Sequence, residues 1–104
     1  MNDYIALPYA FITSKIFMNP KRLSVFLFLL LTANDKAQKV GKDKIKRGSL
    51  TTTNEIISVC CGMTIQNVRD ALSFLESTGE IKRERRNRYQ IITITNYEQY
   101  KDDI

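Results

Sequence analysis

The sequence predicts an α+β domain with three helices and a small antiparallel sheet, and three observations lead to this prediction. First, residues 65–78 place apolar side chains at the spacing of one helix face. Second, residues 53–61 form a shorter amphipathic segment, separated from that helix only by Gly62, Met63 and Thr64. Third, the pattern after Gly79 changes to apolar residues among polar ones behind a charged run, which is typical of a β-hairpin.

Both helices of this pair have recognisable ends in the sequence. Thr64 is suited to cap the first turn of helix 65–78, and Gly79 can adopt the left-handed conformation that ends it. Either Thr53 or Asn54 is expected to cap the preceding helix, where Glu55 is well placed for the helix dipole. Two helices with so short a joint predict a helix-turn-helix.

The hairpin and one further strand complete the predicted fold. Ile81 precedes the charged run 82–88, and an isoleucine-rich segment follows that run. Residues 47–50 lead into the threonines 51–53, and this stretch reads as a short strand that pairs with the hairpin, which gives a three-stranded sheet. This order of elements predicts a winged helix-turn-helix, a fold whose second helix can enter the major groove of DNA while the hairpin approaches the backbone.

A further helix is predicted at residues 20–33, with Asn19 as its cap and Pro20 in its first turn. Residues 25–31 are apolar on every side, but a membrane span needs about 20 such residues, so we expect no membrane association. A helix that is apolar all round must be covered on more than one side. The amino-terminal arm or a partner subunit would supply the second cover, which predicts a homo-oligomer.

We expect a single domain over residues 1–104. Residues 1–18 would form a docking arm, extended up to Leu7 with a short helix from Tyr9, residues 53–95 the helix-turn-helix and wing, and residues 96–104 a C-terminal tail held by Tyr97 and Tyr100. Residues 34–46 read as a polar connection outside the core. The predicted core consists of Leu27, Leu30, Leu31, Ile56, Val68, Leu72, Leu75, Ile81 and Ile92.

The formal charge of +5 is concentrated in two segments. Residues 36–48 hold six basic side chains against Asp43, and residues 82–88 hold five against Glu84. Two basic segments on an otherwise mildly acidic chain favour a directed contact with a polyanion, although two solvated loops would have the same composition.

No motif in the sequence indicates catalysis or a cofactor. The chain has no His, no cluster of metal ligands and no Gly-rich phosphate loop, so we expect no enzyme, no cofactor and no metal site. Cys60 and Cys61 are neighbours on a predicted helix and point in different directions, as expected of free thiols. Two cysteines do not make a secreted disulfide framework, so the expected location is cytoplasmic.

Several stretches resemble one family along nearly the whole chain. They are YIALP, LSVFLFLLLTAN, KRGSLTTT, NVRDALSFLESTGEI and, the most specific, RYQIITITNYEQY. In order and character they resemble the amino-terminal winged-helix domains of bacteriophage and mobile-element replication proteins, the replisome-organiser or DnaD-like group. The resemblance implies a role in replication initiation, with replication proteins as further partners.

The run GMTIQNVRDAL is also similar to the corresponding helix of GntR-type transcription regulators, in which a Ser or Thr cap and a Val-Arg pair recur. Thr64, Val68 and Arg69 match that pattern. Ile65 departs from it, because those regulators often carry a basic, base-contacting residue there.

Contacts with double-stranded DNA are expected from the second helix of the pair and from the hairpin. Gln66 and Asn67 are suited to paired hydrogen bonds with adenine, and Thr64 can reach a phosphate or a base. Contacts with the DNA backbone are expected from the hairpin side chains Lys82, Arg83, Arg85, Arg86 and Arg88.

Two charged residues of that helix leave alternatives open. Arg69 is either a phosphate contact or an internal partner of Asp70 or Glu76. Asp70 would be repelled by phosphates unless it accepts a hydrogen bond from cytosine or pairs with an arginine.

Two functions therefore stay open at this point. One is a DNA-binding module, favoured by the charge of the hairpin. The other is a protein–protein assembly module of a primosome, favoured by the apolar first helix and the aromatic arm.

Overall fold

The computed structural model of the chain describes residues 4–101, so the two ends of the expected arm and tail, 1–3 and 102–104, lie outside the described residues. The described part is an α+β domain with three α-helices and two small antiparallel sheets. In chain order the elements are α1 (Pro20–Thr32), β1 (Gln38–Val40), β2 (Asp43–Ile45), β3 (Ser49–Thr52), α2 (Asn54–Cys61), α3 (Ile65–Ser77), β4 (Ile81–Arg85) and β5 (Gln90–Ile94). Short 3-10 helices at Tyr9–Thr13 and Tyr97–Tyr100 flank them.

The helices begin where the sequence predicts. Asn19 Oδ1 accepts hydrogen bonds from the amides of Lys21 and Arg22, both at 3.1 Å. Thr53 and Thr64 each accept one from the amide three residues later, so Thr53 rather than Asn54 caps α2. The predicted ends of α1 and α3 are each one residue too long, because α1 ends at Thr32 and α3 at Ser77.

The predicted three-stranded sheet is present, with strand order β3-β5-β4 and both pairs antiparallel. Ile92 in the central strand lies opposite Leu50 on one side and Arg83 on the other. We call the face that carries Leu50, Ile92 and Ile81 the inner face, because these three side chains join the main core beneath α1 and α3. The opposite face is the outer face. This arrangement of helices and sheet is compatible with a winged helix.

Most residues of the predicted core are buried, but the prediction is wrong for two of them. Ile56 is 49% exposed and Leu31 is 69% exposed, whereas their neighbours Ile57 and Leu30 are buried. Adjacent helical residues differ by about 100° in direction, so only one of two neighbouring isoleucines can face the core. Leu27 is partly buried against the core, and the other predicted members are buried: Leu30, Val68, Leu72, Leu75, Ile81 and Ile92.

The connection between α1 and β3 differs from the prediction. Residues 34–46, expected to be a polar connection outside the core, contain the hairpin β1–β2, in which Gly41 adopts a φ of +58° in the turn. Ile45 in this hairpin is buried. The prediction missed the hairpin because each strand has only three residues and one apolar side chain, too few to show a period.

The arm and the tail dock together on α1. Phe11 stacks on Phe26 with ring centroids 6.1 Å apart, and Tyr100 meets the same ring edge-on at 5.6 Å. Ile5 forms an isolated antiparallel bridge with Lys101, which joins the two segments. Tyr97 and Tyr100, expected to hold the tail, are both buried.

None of the helices within residues 4–101 has the length and apolar character that crossing a bilayer requires.

Candidate nucleic-acid interface

The outward face of α3 carries two of the expected DNA-contacting residues, Thr64 and Gln66, opposite a buried stripe. Val68, Leu72 and Leu75 point into the core, which leaves Thr64, Gln66 and Asp70 exposed. The Thr64 hydroxyl accepts the Asn67 amide at 3.1 Å, so its oxygen already caps the helix. The outward side chains of the first turn of α3 are therefore exposed, and the Thr64 cap fixes the position at which the helix begins.

Gln66 and Asp70 are joined on this face. Gln66 Nε2 donates to Asp70 Oδ1 at 2.9 Å, one helical turn away. Of the alternatives open for Asp70, pairing with an arginine is not observed within residues 4–101, where its hydrogen-bond donor is Gln66. The Gln66 amide keeps a second N–H and its carbonyl oxygen, so it can bond an adenine edge with both groups while the bond to Asp70 restrains its orientation.

Asn67 lies on the flank of α3 rather than at its outward centre. It is half-buried and lines a cleft with Lys21 and Arg22 at the start of α1. Arg22 itself is held in place, with its guanidinium carbon 3.5 Å from the centroid of the Phe74 ring. Lys21 is exposed beside Asn67 and was missed by the sequence analysis, although its position directly after a predicted helix start could have indicated it.

Four arginines converge on a cleft between α3 and hairpin β4–β5. Arg69 of α3, Arg83 and Arg85 of β4, and Arg86 beyond β4 line it together with Thr53, Asn54, Glu55, Tyr89 and Gln90, and its volume is about 280 Å³. Arg83 and Arg85 share the inner face of the sheet because side chains alternate along a strand. The register of β4 therefore points two of the predicted hairpin cations toward the helix.

Arg83 is not a free cation, contrary to the expectation of a simple backbone contact. Its Nε and Nη2 both donate to Glu76 Oε1, at 3.1 Å and 2.9 Å, and its side chain is only 16% exposed. Glu76 is thus the partner of Arg83 and not of Arg69. Within residues 4–101 the Arg69 guanidinium has neither an ion pair nor a hydrogen bond, which leaves it available to an external anion.

Arg86 is tied to the other hairpin. Its Nε donates to Asp43 Oδ1 at 3.0 Å, and the Tyr89 hydroxyl donates to Asp43 Oδ2 at 2.6 Å. The hydrogen bonds from Tyr89 and then from Arg86 hold the pKa of Asp43 below its usual value, and the bond to Asp43 raises the pKa of Tyr89. The expectation that Arg86 serves only as a backbone contact therefore needs correction, because its charge is partly compensated by Asp43.

The remaining predicted cations, Arg85, Arg88 and Lys82, are exposed and form no ion pair with any residue in the range 4–101. Lys82 lies next to Arg83 in β4 and so belongs to the outer face of the sheet, away from α3. Arg88 is in the turn beyond β4. Arg69 and Arg85 thus line one cleft without an ion pair, Glu55 is the acid of the same lining, and Lys82 lies apart from it.

No group of three or more Cys, Asp or Glu side chains that could hold a metal ion occurs in the described part of the chain. Comparison of the chain with protein-family models, with curated proteins and with solved structures found no match.

Proposed function

We propose that this chain is a winged-helix domain that binds double-stranded DNA, with α3 directed into the major groove and hairpin β4–β5 against the sugar–phosphate backbone. The observation that carries the proposal is the cleft in which Arg69 and Arg85 lie without an acidic partner beside the exposed first turn of α3. Cations on both walls of one cleft attract a phosphate chain running through it.

The local geometry supports this assignment. Only Gly62, Met63 and Thr64 separate α2 from α3, and Gly62 ends α2 with a φ of +65°. The Arg83–Glu76 ion pair fixes the hairpin against α3, so helix and hairpin would meet a duplex as one rigid surface. A preformed surface loses less conformational freedom on binding.

The same proposal includes a role in the replication initiation of a phage or mobile element. The protein would act in the cytoplasm together with other replication proteins. Its support is the resemblance of RYQIITITNYEQY and the other stretches to replisome organisers. A GntR-like regulatory role is the alternative within DNA binding, and Ile65 speaks against it because it replaces a base-contacting cation with an apolar side chain.

The test is a salt titration of binding to a labelled duplex of mixed sequence, read by fluorescence anisotropy. If Arg69, Arg85, Arg88 and Lys82 each displace close to one counterion, these four will together contribute about −3 to −4 to the log–log slope per domain. Arg69→Gln/Arg85→Gln should flatten that slope by about 2. Lys101→Glu, which changes the net charge equally at the bridge between arm and tail, is the matched control and should keep the slope.

Absence of binding by the wild-type chain at low salt would overturn the proposal. So would equal slopes in the wild type and the double arginine variant.

An assembly module is the second candidate, favoured by exposed apolar side chains on the arm and on α1. Tyr9 is 99% exposed, and Ile12, Met18 and Leu31 are also largely exposed. Self-association would cover such side chains, as the apolar character of α1 suggests. Sedimentation of the wild type and of Tyr9→Ser/Ile12→Ser tests this candidate: a dimer that the substitutions dissociate supports it, and a wild-type monomer at high micromolar concentration contradicts it.

A further inference from the structure

Hairpin β1–β2 covers the outer face of the three-stranded sheet. Ile45 of β2 and Ile91 of β5 are both buried, yet neither belongs to the main core cluster. Alternation along β5 places Ile91 and Thr93 on the outer face, where Thr93 shares a hydrogen bond of 2.7 Å with Ser49. The hairpin and this face line a common cleft. The short hairpin is therefore a packed element with a fixed position, not a loose connection.

The side of hairpin β1–β2 that points to solvent is formed by lysines. Lys39 and Lys44 lie directly opposite each other in the antiparallel register, and Lys42 lies in the turn between the strands. All three are exposed, and none forms an ion pair with a residue in 4–101. Like charges directly across a strand pair destabilise the pairing. This arrangement lowers the stability of the hairpin. It also places three lysine ammonium groups where an anion can bind them.

The one acid of the hairpin does not offset these lysines. Asp43 is engaged by Arg86 and Tyr89, at 3.0 Å and 2.6 Å, on the side that faces hairpin β4–β5. Glu84, the acid of β4 on the outer face, lies 4.0 Å from Arg86 Nη2. Asp43, Glu84 and Arg86 together carry a charge of −1, so with the three lysines this side of the hairpin keeps a surplus of two positive charges.

We propose that hairpin β1–β2 is a second contact for the sugar–phosphate backbone of duplex DNA, made by Lys39, Lys42 and Lys44. The proposal rests on the proposed function, because it extends the backbone contact of hairpin β4–β5 onto the other side of the sheet. Asp43 joins the two hairpins, so both sets of cations are held at a fixed separation before DNA arrives. Preorganisation of this kind reduces the entropic cost of binding.

The deciding variant is Lys39→Gln/Lys44→Gln, measured in the same salt titration on a labelled duplex of mixed sequence. Removal of two opposed like charges should leave the thermal midpoint equal to the wild type or higher, so weaker DNA binding cannot come from unfolding. We expect the log–log slope to flatten by about 2. Lys101→Glu again supplies the same change in net charge at a distant position.

The outcomes separate this proposal from the one on which it rests. If the lysine variant keeps the wild-type slope while Arg69→Gln/Arg85→Gln flattens it, the hairpin proposal is overturned and DNA binding through α3 and β4–β5 stands. If Lys101→Glu flattens the slope as much as the lysine variant, the effect is one of net charge, and the hairpin proposal is overturned as well. If the wild type does not bind the duplex, both proposals are overturned.

Discussion

Arg83 of β4 donates two hydrogen bonds to a single carboxylate oxygen of Glu76 in α3, from Nε at 3.1 Å and from Nη2 at 2.9 Å. The contact joins the basic hairpin to the helix that we propose enters DNA. Arg85 follows two residues later on the same face of the sheet and has no such partner within residues 4–101. Two arginines of one strand therefore have different roles, which single substitutions can separate.

Arg83→Gln should lower the free energy of unfolding by about 0.2 to 1 kcal/mol, since the pair is partly exposed and such pairs contribute little. Arg85→Gln should leave it unchanged within about 0.5 kcal/mol and flatten the salt dependence of DNA binding by about 1. Urea denaturation and the anisotropy titration measure the two quantities. Equal effects of both substitutions on both quantities would contradict this division of roles.

The two leucines Leu72 and Leu31 provide a matched test of the core. Leu72 is fully buried in α3, so Leu72→Ala should cost about 2 to 5 kcal/mol of unfolding free energy. Leu31 is 69% exposed, so Leu31→Ala should cost no more than about 0.5 kcal/mol in the monomer. Denaturant titrations of both variants at low protein concentration measure the difference. A large loss at Leu31 under those conditions would mean that α1 packs on something other than the described surface.

The sequence sufficed for those parts of the fold that local rules determine. The caps at Asn19 and Thr64 were readable, and that of α2 was narrowed to Thr53 or Asn54, because a capping side chain bonds an amide two or three residues away. The choice of the buried face was readable on α3, where only one stripe is apolar. It failed at Leu31 because α1 is apolar on all sides, so only the packing partners decide which leucines are covered.

The candidate site was less accessible from the sequence, for a related reason. Hairpin charge was evident in residues 82–88, but the partners of Arg83 and Arg86 are 7 and 43 residues away. Whether such a cation is free depends on tertiary contacts. The pairing of Lys39 with Lys44 depends in turn on the register of a hairpin too short to predict.

The cluster formed by Asp43, Arg86 and Tyr89 predicts the pH range over which the two hairpins stay in contact. The pKa of Asp43 is lowered in the folded chain, so its contribution to stability is present above the unfolded value of about 3.9 and is lost as the pH falls through the folded value. The pKa of Tyr89 is raised, so its contribution is present below the unfolded value of about 10 and is lost as the pH rises through the folded value. The contact should therefore weaken at both extremes.

The methyl resonances of Ile45, which is buried in β2 two residues from Asp43, can follow this transition by NMR. In the wild type they should stay constant between about pH 5 and pH 9 and shift below about pH 4. Asp43→Asn should remove the acid transition, whereas Asp35→Asn, an acid outside the cluster, should keep it. An acid transition of the Ile45 methyl groups that persists in Asp43→Asn would assign it to another group.

The last prediction concerns how α3 distinguishes sequences, and it follows from the hydrogen bond between Gln66 and Asp70. Asp70→Ala removes a carboxylate from the outward face of the proposed recognition helix and frees the Gln66 amide. Affinity for duplexes of any sequence should rise by roughly fivefold, as expected from about 1 kcal/mol of repulsion between charges 4 Å apart in water. Asn67→Ala should act differently, costing about 1 to 3 kcal/mol on the preferred site and little on other sequences, with an unchanged salt slope.

Both variants should be measured on a sequence selected from random duplexes and on a shuffled version of it. If Asp70 accepts a hydrogen bond from cytosine, Asp70→Ala will lose discrimination between the two duplexes while it gains affinity for the shuffled one. If Asp70 makes no base contact, affinity will rise on both duplexes and discrimination will be kept, because Gln66 has both of its hydrogen-bonding groups for adenine with or without Asp70. Reduced affinity of Asp70→Ala for both duplexes would contradict the orientation of α3 toward DNA, since a carboxylate facing phosphates cannot favour binding to every sequence.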